Sequence, residues 1–453
     1  MKIEGIPPIP AVQCCIEATC SSHFPLNERL YVCPKCGGLL DVEQDFTTLD
    51  PEQLRVLWTN RLASFDARDR SGVWRYREML PFGKDPAVVS LAEGNTPLYA
   101  GPSSAAYSGL KSLSLKHQGS NPTGSFKDTG MTTAVTQAVI LGARTVVCAS
   151  TGNTAASLAA YAARVSLQCA ILVPRGQVSH AKLAQSLDYG AVVLELDGNF
   201  DDSMRVIREL ADDESIYLVN SINPFRIEGQ KTVATEMLHQ RNWRVPDHVV
   251  VPGGNLGNSS ALGKGFKELQ EIGLIDRLPR LTVVQAEGAA PFAQCFSESA
   301  GSLDNRNELM PVEHPTTLAT AIKIGAPVSW KKSLRAVKWT NGTVLTVSEQ
   351  EIADARAIIG RDGLGCEPAS ATTVAGIKRL VSSGFIGPTE DVVAVLTGHV
   401  LKDTDYAINY HWGELYVENE NEERRKLQGT YANAPARVDP TKAAILEHLR
   451  RKG

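Results

Sequence analysis

One lysine, Lys127, stands in a sequence context that favours covalent chemistry. It closes the run Gly-Ser-Phe-Lys at residues 124–127, and the residues after it have a pattern typical of a helix. A lysine amine in such a position can act as a nucleophile and form a Schiff base with an aldehyde. Because most lysines are solvated surface residues, this interpretation depends on complementary groups elsewhere in the chain.

Two loops could supply those groups, since each follows an apolar run of strand length and precedes a helical pattern. Residues 252–258 read Pro-Gly-Gly-Asn-Leu-Gly-Asn, and glycines at a helix start let backbone N–H groups approach an anion. Residues 150–154 read Ser-Thr-Gly-Asn-Thr and offer hydroxyl and amide groups. A plain strand–helix turn and an ordinary N-cap are the structural alternatives. The first loop has neither the GxxxxGK[ST] nor the GxGxxG spacing of nucleotide sites. A lysine, an anion loop and an Asn/Thr loop together fit pyridoxal phosphate.

These residues need a scaffold of alternating strands and helices, which the sequence predicts from Lys127 onward. Alternation of this kind indicates parallel sheets with helices on both faces. The predicted strands are Thr145–Ala149, Gln168–Val173, Ala191–Leu196, Ile216–Asn220, His248–Val251, Leu281–Gln285 and Asp391–Leu396. The predicted helices are Thr129–Leu141, Thr154–Arg164, Ala181–Leu187, Phe200–Leu210 and a final one near Lys442–Arg450.

Composition excludes several other classes of protein. The 453 residues are 43% hydrophobic and 21% charged, with a net charge of −4. Such a balance does not favour nucleic acid as a partner, and no apolar run approaches the length of a membrane span. The N-terminal residues have no apolar signal-peptide region, so we expect a cytoplasmic enzyme.

Four cysteines near the N-terminus have the spacing of a metal site. Cys15 and Cys20 form one pair, and Cys33 and Cys36 form a second pair in a Cys-Pro-x-Cys-Gly-Gly knuckle. Two such pairs can bind one tetrahedral zinc ion of structural function. Cys14 and His23 are rival ligands, and a ribbon that folds without metal is the alternative interpretation.

Several motifs, in this order, give the chain its resemblance to a known family. They are Ala92–Leu98, the Gly-Ser-Phe-Lys-Asp run, Ser150–Ala156, an Asn-x5-Arg-x-Glu-Gly-Gln-Lys-Thr block from Asn220, the glycine loop, Ala319–Gly325 and a Thr-Gly-His-x-Leu-Lys-Asp block from Thr397. Residues from about 32 to 405 thereby resemble fold-type II pyridoxal-phosphate enzymes, and specifically the threonine synthase family. The two blocks that start at Asn220 and Thr397 carry the narrower resemblance. Thr129 and Val400 depart from the residues usual in the family.

The resemblance implies an α/β architecture with two doubly wound open twisted sheets and an N-terminal zinc-ribbon-like segment. The expected divisions are 1–45 for the ribbon, 46–126 with 226–414 for a large cofactor-binding domain, 127–225 for a small mobile domain, and 415–453 for a C-terminal extension. A homodimer is also expected from the family.

The resemblance further implies conversion of O-phospho-L-homoserine and water to L-threonine and phosphate. Lys127 would hold the cofactor and then act as the base. Asn153 would meet the phenolic oxygen of pyridoxal phosphate, Thr397 its ring nitrogen, and Arg226 the substrate phosphate. The implied cofactor-binding residues are Lys127, Phe126, Asn153, Gly253, Gly254, Asn255, Leu256, Gly257 and Thr397. The implied substrate-binding residues are Lys116, Ser150, Thr151, Thr154, Asn220, Arg226 and Asn255.

Other functions remain open at this level. A serine/threonine dehydratase lacks a phosphorylated substrate and so leaves Arg226 unexplained. Cysteate synthase or another lyase acting on a phosphorylated amino acid fits the same residues. A catalytically idle relative that binds a metabolite is a third class, and the presence of Lys127, Asn153 and Thr397 argues against it.

Overall fold

The computed structural model describes residues 9–83, 87–175, 180–197, 213–298, 308–418 and 424–452. Between 198 and 212 it describes only residues 202, 205, 206, 209 and 210. The described strands are β1 (Ala11–Cys15), β2 (His23–Phe24), β3 (Leu40–Gln44), β4 (Leu98–Ala100), β5 (Ser114–His117), β6 (Thr145–Ala149), β7 (Gln168–Pro174), β8 (Val192–Leu196), β9 (Ile216–Leu218), β10 (His248–Pro252), β11 (Arg280–Ala286), β12 (Thr343–Val347), β13 (Val392–Leu396), β14 (Tyr416–Glu418) and β15 (Arg424–Lys426). The described α-helices are α1 (Pro51–Arg61), α2 (Ala67–Arg70), α3 (Pro102–Ser108), α4 (Lys127–Ile140), α5 (Asn153–Arg164), α6 (His180–Asp188), α7 (Pro224–Gln240), α8 (Gly257–Glu271), α9 (Pro291–Glu298), α10 (Trp330–Trp339), α11 (Glu349–Arg361), α12 (Pro368–Ser382), α13 (Thr404–Trp412) and α14 (Lys442–Lys452).

Two largely parallel sheets form the body of the protein. One has six strands in the order β12-β11-β10-β13-β5-β4, in which only the β4–β5 pair is antiparallel. The other has four parallel strands in the order β8-β7-β6-β9. A three-stranded antiparallel sheet, β2-β1-β3, forms the N-terminal segment. The predicted fold class is confirmed. The four domain boundaries stay a prediction.

The central strands of both sheets are buried on two faces, which explains why they read as continuous apolar runs. Successive side chains of a strand point to opposite faces. In β10, Val249 and Val251 accordingly belong to one hydrophobic cluster and Val250 to another. In β6, Val146 and Val147 are divided between two clusters in the same way.

The predicted elements agree with the observed ones to within about two residues at most ends. The strand predicted at Thr145–Ala149 is β6, and the final predicted helix is α14, which extends to Lys452. The helix predicted at Phe200–Leu210 lies largely outside the described residues. Among the described residues, no helix combines the length and the apolar character that crossing a membrane requires.

Helices α4 and α7 pack against each other at glycines. A Cβ atom on Gly229 of α7 would overlap the carbonyl oxygen of Thr129, and one on Gly130 of α4 would lie 2.7 Å from the carbonyl oxygen of Arg226. Only glycine permits this approach of two backbones. The contact places the first turn of α4, with Lys127, beside the first turn of α7, with Arg226.

A buried network of charges attaches the N-terminal sheet to the body. Asp41 of β3 pairs with Lys332 at 3.1 Å and with Arg335 of the same helix, α10. Lys231 of α7 pairs with Glu228 at 2.6 Å and with Glu268 of α8 at 2.8 Å. Lys264 contacts Glu228 and the carbonyl oxygen of Val42, and Lys231 donates to Gln44. Since isolated buried charges are costly, this pairing fixes where the sheet sits on α7, α8 and α10.

Candidate active site

The loop before Lys127 is held against the carboxyl end of β13. Parallel strands of an open sheet end at one edge, where α/β proteins bind ligands. An antiparallel bridge between Ser125 and Gly398 joins the two segments. It consists of two 2.9 Å backbone hydrogen bonds, from the Phe126 N–H to the Thr397 carbonyl and from the His399 N–H to the Gly124 carbonyl. Lys127 and Thr397, which are 270 positions apart in the sequence, therefore lie at one site.

The environment of Lys127 favours the neutral amine. Burial, followed by the charge of Arg226, lowers the pKa of Lys127 to about 7, while the carboxylate of Glu367 acts in the opposite direction. The Lys127 Nζ lies 3.8 Å from the centroid of the Phe126 ring. A neutral amine at working pH can act as a nucleophile and as a base.

Glu367 joins two of the predicted cofactor residues. Asn153 donates through Nδ2 to Glu367 Oε2 at 2.9 Å, and the Thr397 hydroxyl donates to Oε1 at 2.9 Å. The Ser370 hydroxyl lies 3.1 Å from the Thr397 hydroxyl and accepts the N–H groups of Thr397 and Gly398. Burial raises the pKa of Glu367, whereas its hydrogen bonds and the nearby lysines lower it.

The glycine loop after β10 presents backbone N–H groups. Leu256 takes a left-handed conformation with φ of 64°, which is strained for a residue with a side chain and typical of functional loops. Among the described residues, the N–H groups of Gly254, Asn255, Leu256 and Gly257 find no acceptor. Successive N–H groups at a helix start are suited to a phosphate.

Gly253 has a different function from the one expected. Its N–H donates to the carbonyl oxygen of Val284 at 2.7 Å, and its own carbonyl accepts from the Gln285 side chain at 3.2 Å. This residue continues the strand ladder, so it cannot also donate to a phosphate. The N–H groups of the loop that could meet an anion begin at Gly254.

Arg226 is a buried cation on the first turn of α7. It is 3% exposed, and its nearest recorded acceptor is the Val219 carbonyl oxygen, 3.4 Å from a terminal nitrogen. Its Nε has no partner, and no carboxylate forms an ion pair with it among the described residues. Burial lowers the pKa of Arg226 to about 10, so it stays charged at neutral pH. Because an unpaired buried charge is costly, this cation is suited to an anionic ligand.

The ammonium group of Lys116 donates all of its protons to other groups of the protein. Its Nζ is completely buried, pairs with Glu236, and donates to the carbonyl of Thr96 at 2.7 Å and to the Gln240 side chain at 2.8 Å. An ammonium group has three protons, and all three are used. Lys116 therefore cannot bind a substrate phosphate in this arrangement, contrary to the sequence-based expectation.

Several of the remaining predicted residues lie where β6 and β9 end and where α5 begins. The Asn220 amide forms two 3.1 Å bonds with the backbone of Ala149, which fixes the loop after β9 to the end of β6. Ser150 accepts the Gly152 N–H at 3.3 Å, and Thr151 and Thr154 are half-buried in the same turn.

Asn255 connects the glycine loop to two other segments. It donates to the Ser221 hydroxyl at 3.0 Å and accepts the Val328 N–H at 2.7 Å.

The sequence analysis did not identify Ser221, Glu367 and Ser370 as residues of the site. The available signals were the place of Ser221 inside the Asn220 block, and a carboxylate directly before the helix-starting Pro368.

The N-terminal cysteines form a candidate metal centre. The Sγ atoms of Cys15, Cys20, Cys33 and Cys36 all lie within 4.8 Å of one another. Four sulfurs at about 2.3 Å from one zinc ion are separated from each other by roughly 3.8 Å, so the donor set fits. The two rival ligands lie outside the group: His23 faces Glu43 at 3.7 Å, and Cys14 is buried.

Comparison with known proteins defines the class. A family profile described as "Pyridoxal-phosphate dependent enzyme" matches residues 89–398. The solved structure of a processed threonine deaminase from Solanum lycopersicum superposes with a TM-score of 0.59 at 19% identity, covering 79% of this chain and 89% of that one. This likeness concerns the fold. With Lys127 and the free N–H groups of the glycine loop, the chain belongs to the pyridoxal-phosphate-dependent enzymes, and it is a lyase of that class.

Sequence relatives narrow the class to one family. "Threonine synthase" of Methanocaldococcus jannaschii is 46% identical over 409 residues, which cover 90% of this chain and 96% of the relative. "Threonine synthase" of Mycobacterium tuberculosis is 45% identical over 335 residues, covering 74% and 89%. "Threonine synthase 2, chloroplastic" of Arabidopsis thaliana is 38% identical over 443 residues, covering 95% and 82%. The chain belongs to the threonine synthase family.

Proposed function

We propose that this protein converts O-phospho-L-homoserine and water to L-threonine and phosphate, with pyridoxal phosphate as cofactor. Membership of the threonine synthase family supports the reaction. The observation that carries the choice of substrate is Arg226, a buried cation without a carboxylate partner among the described residues, close enough to Lys127 to lower its pKa. A phosphate dianion satisfies such a group, whereas an uncharged side chain leaves it unpaired.

The cofactor site consists of three kinds of contact. The N–H groups of Gly254 to Gly257 hold the phosphate, Lys127 binds the aldehyde carbon, and Asn153 and Thr397 meet the polar atoms of the ring. Pyridoxal phosphate supplies an aldehyde for covalent attachment and a ring that withdraws electrons from Cα. A hydroxyl, in place of a carboxylate, at the ring nitrogen does not force that nitrogen to stay protonated.

Lys127 is the proton carrier of the reaction. Once the substrate amine had replaced it, its Nζ would be free, and a large share would be neutral near pH 7, since burial and Arg226 lower its pKa to about 7. It takes the proton from Cα and then helps to remove one from Cβ. Phosphate would leave from Cγ, and the protons taken from Cα and Cβ would return to Cα and Cγ, which makes Cγ the methyl group. Water would add its OH to Cβ and its remaining proton to the released phosphate, and threonine is the product.

The substrate is oriented by groups at both ends. Arg226 binds the phosphate together with Asn220, Ser150 and Asn255, and the hydroxyl groups of Thr151 and Thr154 contact the α-carboxylate. The N-terminus of α5 adds a favourable dipole for that carboxylate.

A paired substrate assay tests the proposed reaction. We expect release of phosphate and threonine from O-phosphohomoserine, and no sulfonated product from O-phosphoserine and sulfite. Both products can be identified by mass spectrometry in the same preparation. The opposite pattern would assign the protein as a cysteate synthase, and inactivity with a normal cofactor spectrum would favour an idle relative that binds a metabolite.

We further propose that Cys15, Cys20, Cys33 and Cys36 hold one structural zinc ion. The proximity of the four thiols supports this proposal. Lys331 pairs with Glu17, between the first two ligands, at 2.6 Å, and β3 is attached through Asp41. The ion would thereby stabilise a segment that contacts the helices carrying Arg226 and the glycine loop.

Replacement of one ligand should release the metal. We expect Cys15→Ser to lose about one zinc per chain by elemental analysis, because three thiolates bind the ion far less tightly than four. The matched control is Cys14→Ser, which alters the adjacent buried cysteine of the same strand and should keep its zinc. Equal zinc content in the two variants, or none in the unaltered protein, would contradict the proposal.

We also propose a cytoplasmic homodimer. All nine cysteines are free, which supports a reducing compartment. Exposed apolar side chains at Leu401, Ile408 and Trp412, on and before α13, are 71%, 50% and 59% exposed and support a contact with a second copy. Light scattering tests the dimer, and cell fractionation tests the compartment.

A further inference from the structure

Glu367 is a buried carboxyl group to which the reaction as described gives no task. It is 3% exposed, directly precedes α12, and its own N–H donates to the Gly398 carbonyl oxygen at 3.0 Å. Its two oxygens contact different partners, Asn153 on α5 and Thr397 after β13. Under the proposed function, those two side chains contact the ring oxygen and the ring nitrogen of the cofactor.

The hydrogen bonds around Thr397 show which hydroxyl groups donate a proton and which accept one. The Ser370 hydroxyl oxygen accepts two backbone N–H groups, at 2.8 and 3.2 Å, and these occupy its two lone pairs. Its proton is therefore donated to the Thr397 hydroxyl oxygen at 3.1 Å. Thr397 thus always accepts from Ser370, and the direction of its own proton depends on Glu367.

Two arrangements follow for the Thr397 hydroxyl. When Glu367 is ionised, Thr397 donates to it and has only a lone pair left for the cofactor, which suits a protonated ring nitrogen. When Glu367 is protonated, it donates to Thr397, and the Thr397 proton is free to be donated to an unprotonated ring nitrogen. The ring oxygen meets a constant donor, because Asn153 Nδ2 has a second N–H beside the one bound to Glu367.

We propose that Glu367 is a positioning residue whose protonation state decides whether Thr397 presents a proton or a lone pair to the ring nitrogen of pyridoxal phosphate. This inference rests on the proposed binding mode of the cofactor. It does not depend on which amino acid is the substrate.

The surroundings of Glu367 allow it to change protonation state. Burial raises its pKa, and the Asn153 and Thr397 bonds lower it, as do Lys127 and Lys402. The titratable and charged groups around it are Lys127 on α4, Lys402 after β13, the adjacent Cys366, Arg356 of α11, which donates to the Cys366 carbonyl, and His399, which pairs with the Cys366 backbone.

Glu367→Gln separates this function from a structural one. The Gln oxygen still accepts from Asn153, and its NH₂ group donates to Thr397, as the protonated acid would. We expect holoenzyme of this variant to retain its cofactor but to lose one pH-dependent transition in the visible absorption of the bound cofactor, measured without substrate. Its spectrum at every pH should match the acid form of the unaltered enzyme.

Two further variants complete the test. Asp354→Asn is the matched control, because Asp354 also accepts from two side chains, Tyr410 and Gln350, and burial raises its pKa. It should keep the transition. Thr397→Val should lose the same transition, and it decides the question if Glu367→Gln does not fold. Retention of the transition in either site variant, or its absence from the unaltered enzyme, would overturn the proposal.

The proposed reaction can fail without affecting this result. The spectral titration uses bound pyridoxal phosphate alone, so inactivity on O-phosphohomoserine leaves it interpretable. A purely structural role for Glu367 would lower the melting temperature of Glu367→Gln and leave its pH titration unchanged.

Discussion

Lys127→Ala is expected to abolish both the visible absorption of bound pyridoxal phosphate and the formation of threonine. The variant lacks the amine that binds the aldehyde and carries the proton. We expect turnover to fall by at least about 10⁴-fold, the upper range for a positioned acid–base group. Absorption spectra of purified protein and a phosphate-release assay measure the two effects.

The fold should survive this change. The pKa of Lys127 is lowered by burial and by Arg226, so its positive charge is held in an unfavourable place. Because the unfolded state binds more protons than the folded state between the lowered value of about 7 and the ordinary value of 10.5, this lysine costs most stability below about pH 7. Cofactor-free Lys127→Ala should therefore melt no lower than the cofactor-free parent near neutral pH.

Two observations would count against the role of Lys127. Lys127→Arg keeps a positive charge but offers no neutral amine, so it should be as inactive as the alanine variant. An unchanged absorption band in either variant would show that another lysine holds the cofactor. A large loss of melting temperature in cofactor-free Lys127→Ala would instead indicate a structural lysine.

Arg226→Ala is expected to lower kcat/KM for O-phosphohomoserine by about 10³-fold, with pyridoxal phosphate still bound at one per chain. Loss of a buried charge-assisted contact typically costs several kcal/mol, and about 4 kcal/mol corresponds to that factor. The loss should appear mainly in KM, because the substrate phosphate contacts Arg226 before and during the reaction. Steady-state kinetics and cofactor quantification measure the result.

Inorganic phosphate provides a second readout that is independent of turnover. If Arg226 binds the phosphate of the substrate, inhibition by inorganic phosphate should weaken in parallel in Arg226→Ala. The matched control is Arg241→Ala, since Arg241 directly follows α7, is buried, and pairs with Asp391. This control should lose stability and keep its KM. Equal KM changes in both variants, or loss of cofactor from Arg226→Ala alone, would contradict the assignment.

Sequence patterns were sufficient for most of the scaffold. The apolar runs of β6, β10 and β13 predicted these strands because strands buried on both faces leave no alternation to misread. The glycine loop and the Lys127 run also predicted their positions in the fold. Where two stretches of backbone, or a backbone and a ligand, come close together, few residue types fit, and this restriction is visible in the local sequence. The Cys15 to Cys36 cluster was recognisable because metal ligands recur at short, fixed spacing.

The functions of individual polar residues were harder to predict from the sequence. Gly253 and Gly254 are adjacent and alike in sequence, yet only the N–H of Gly253 is taken by the β11 strand. Glu367 reads as an ordinary residue before a proline, and its importance comes from Asn153 and Thr397, which approach it from other elements. Such partners are distant in the chain, so local patterns do not reveal them.

Lys116 and Arg226 illustrate the difference between what sequence motifs predict and what the contacts of the folded chain reveal. Sequence motifs were sufficient to recognise the family, and they predicted the cofactor lysine, the anion loop and two cations suited to a phosphate. The contacts of the folded chain distinguish these two cations, because Glu236 pairs with Lys116 whereas no carboxylate of the described chain pairs with Arg226. The physical reason is that a buried charge is available to a ligand only when no other residue has already satisfied it, and that depends on contacts between residues far apart in the sequence.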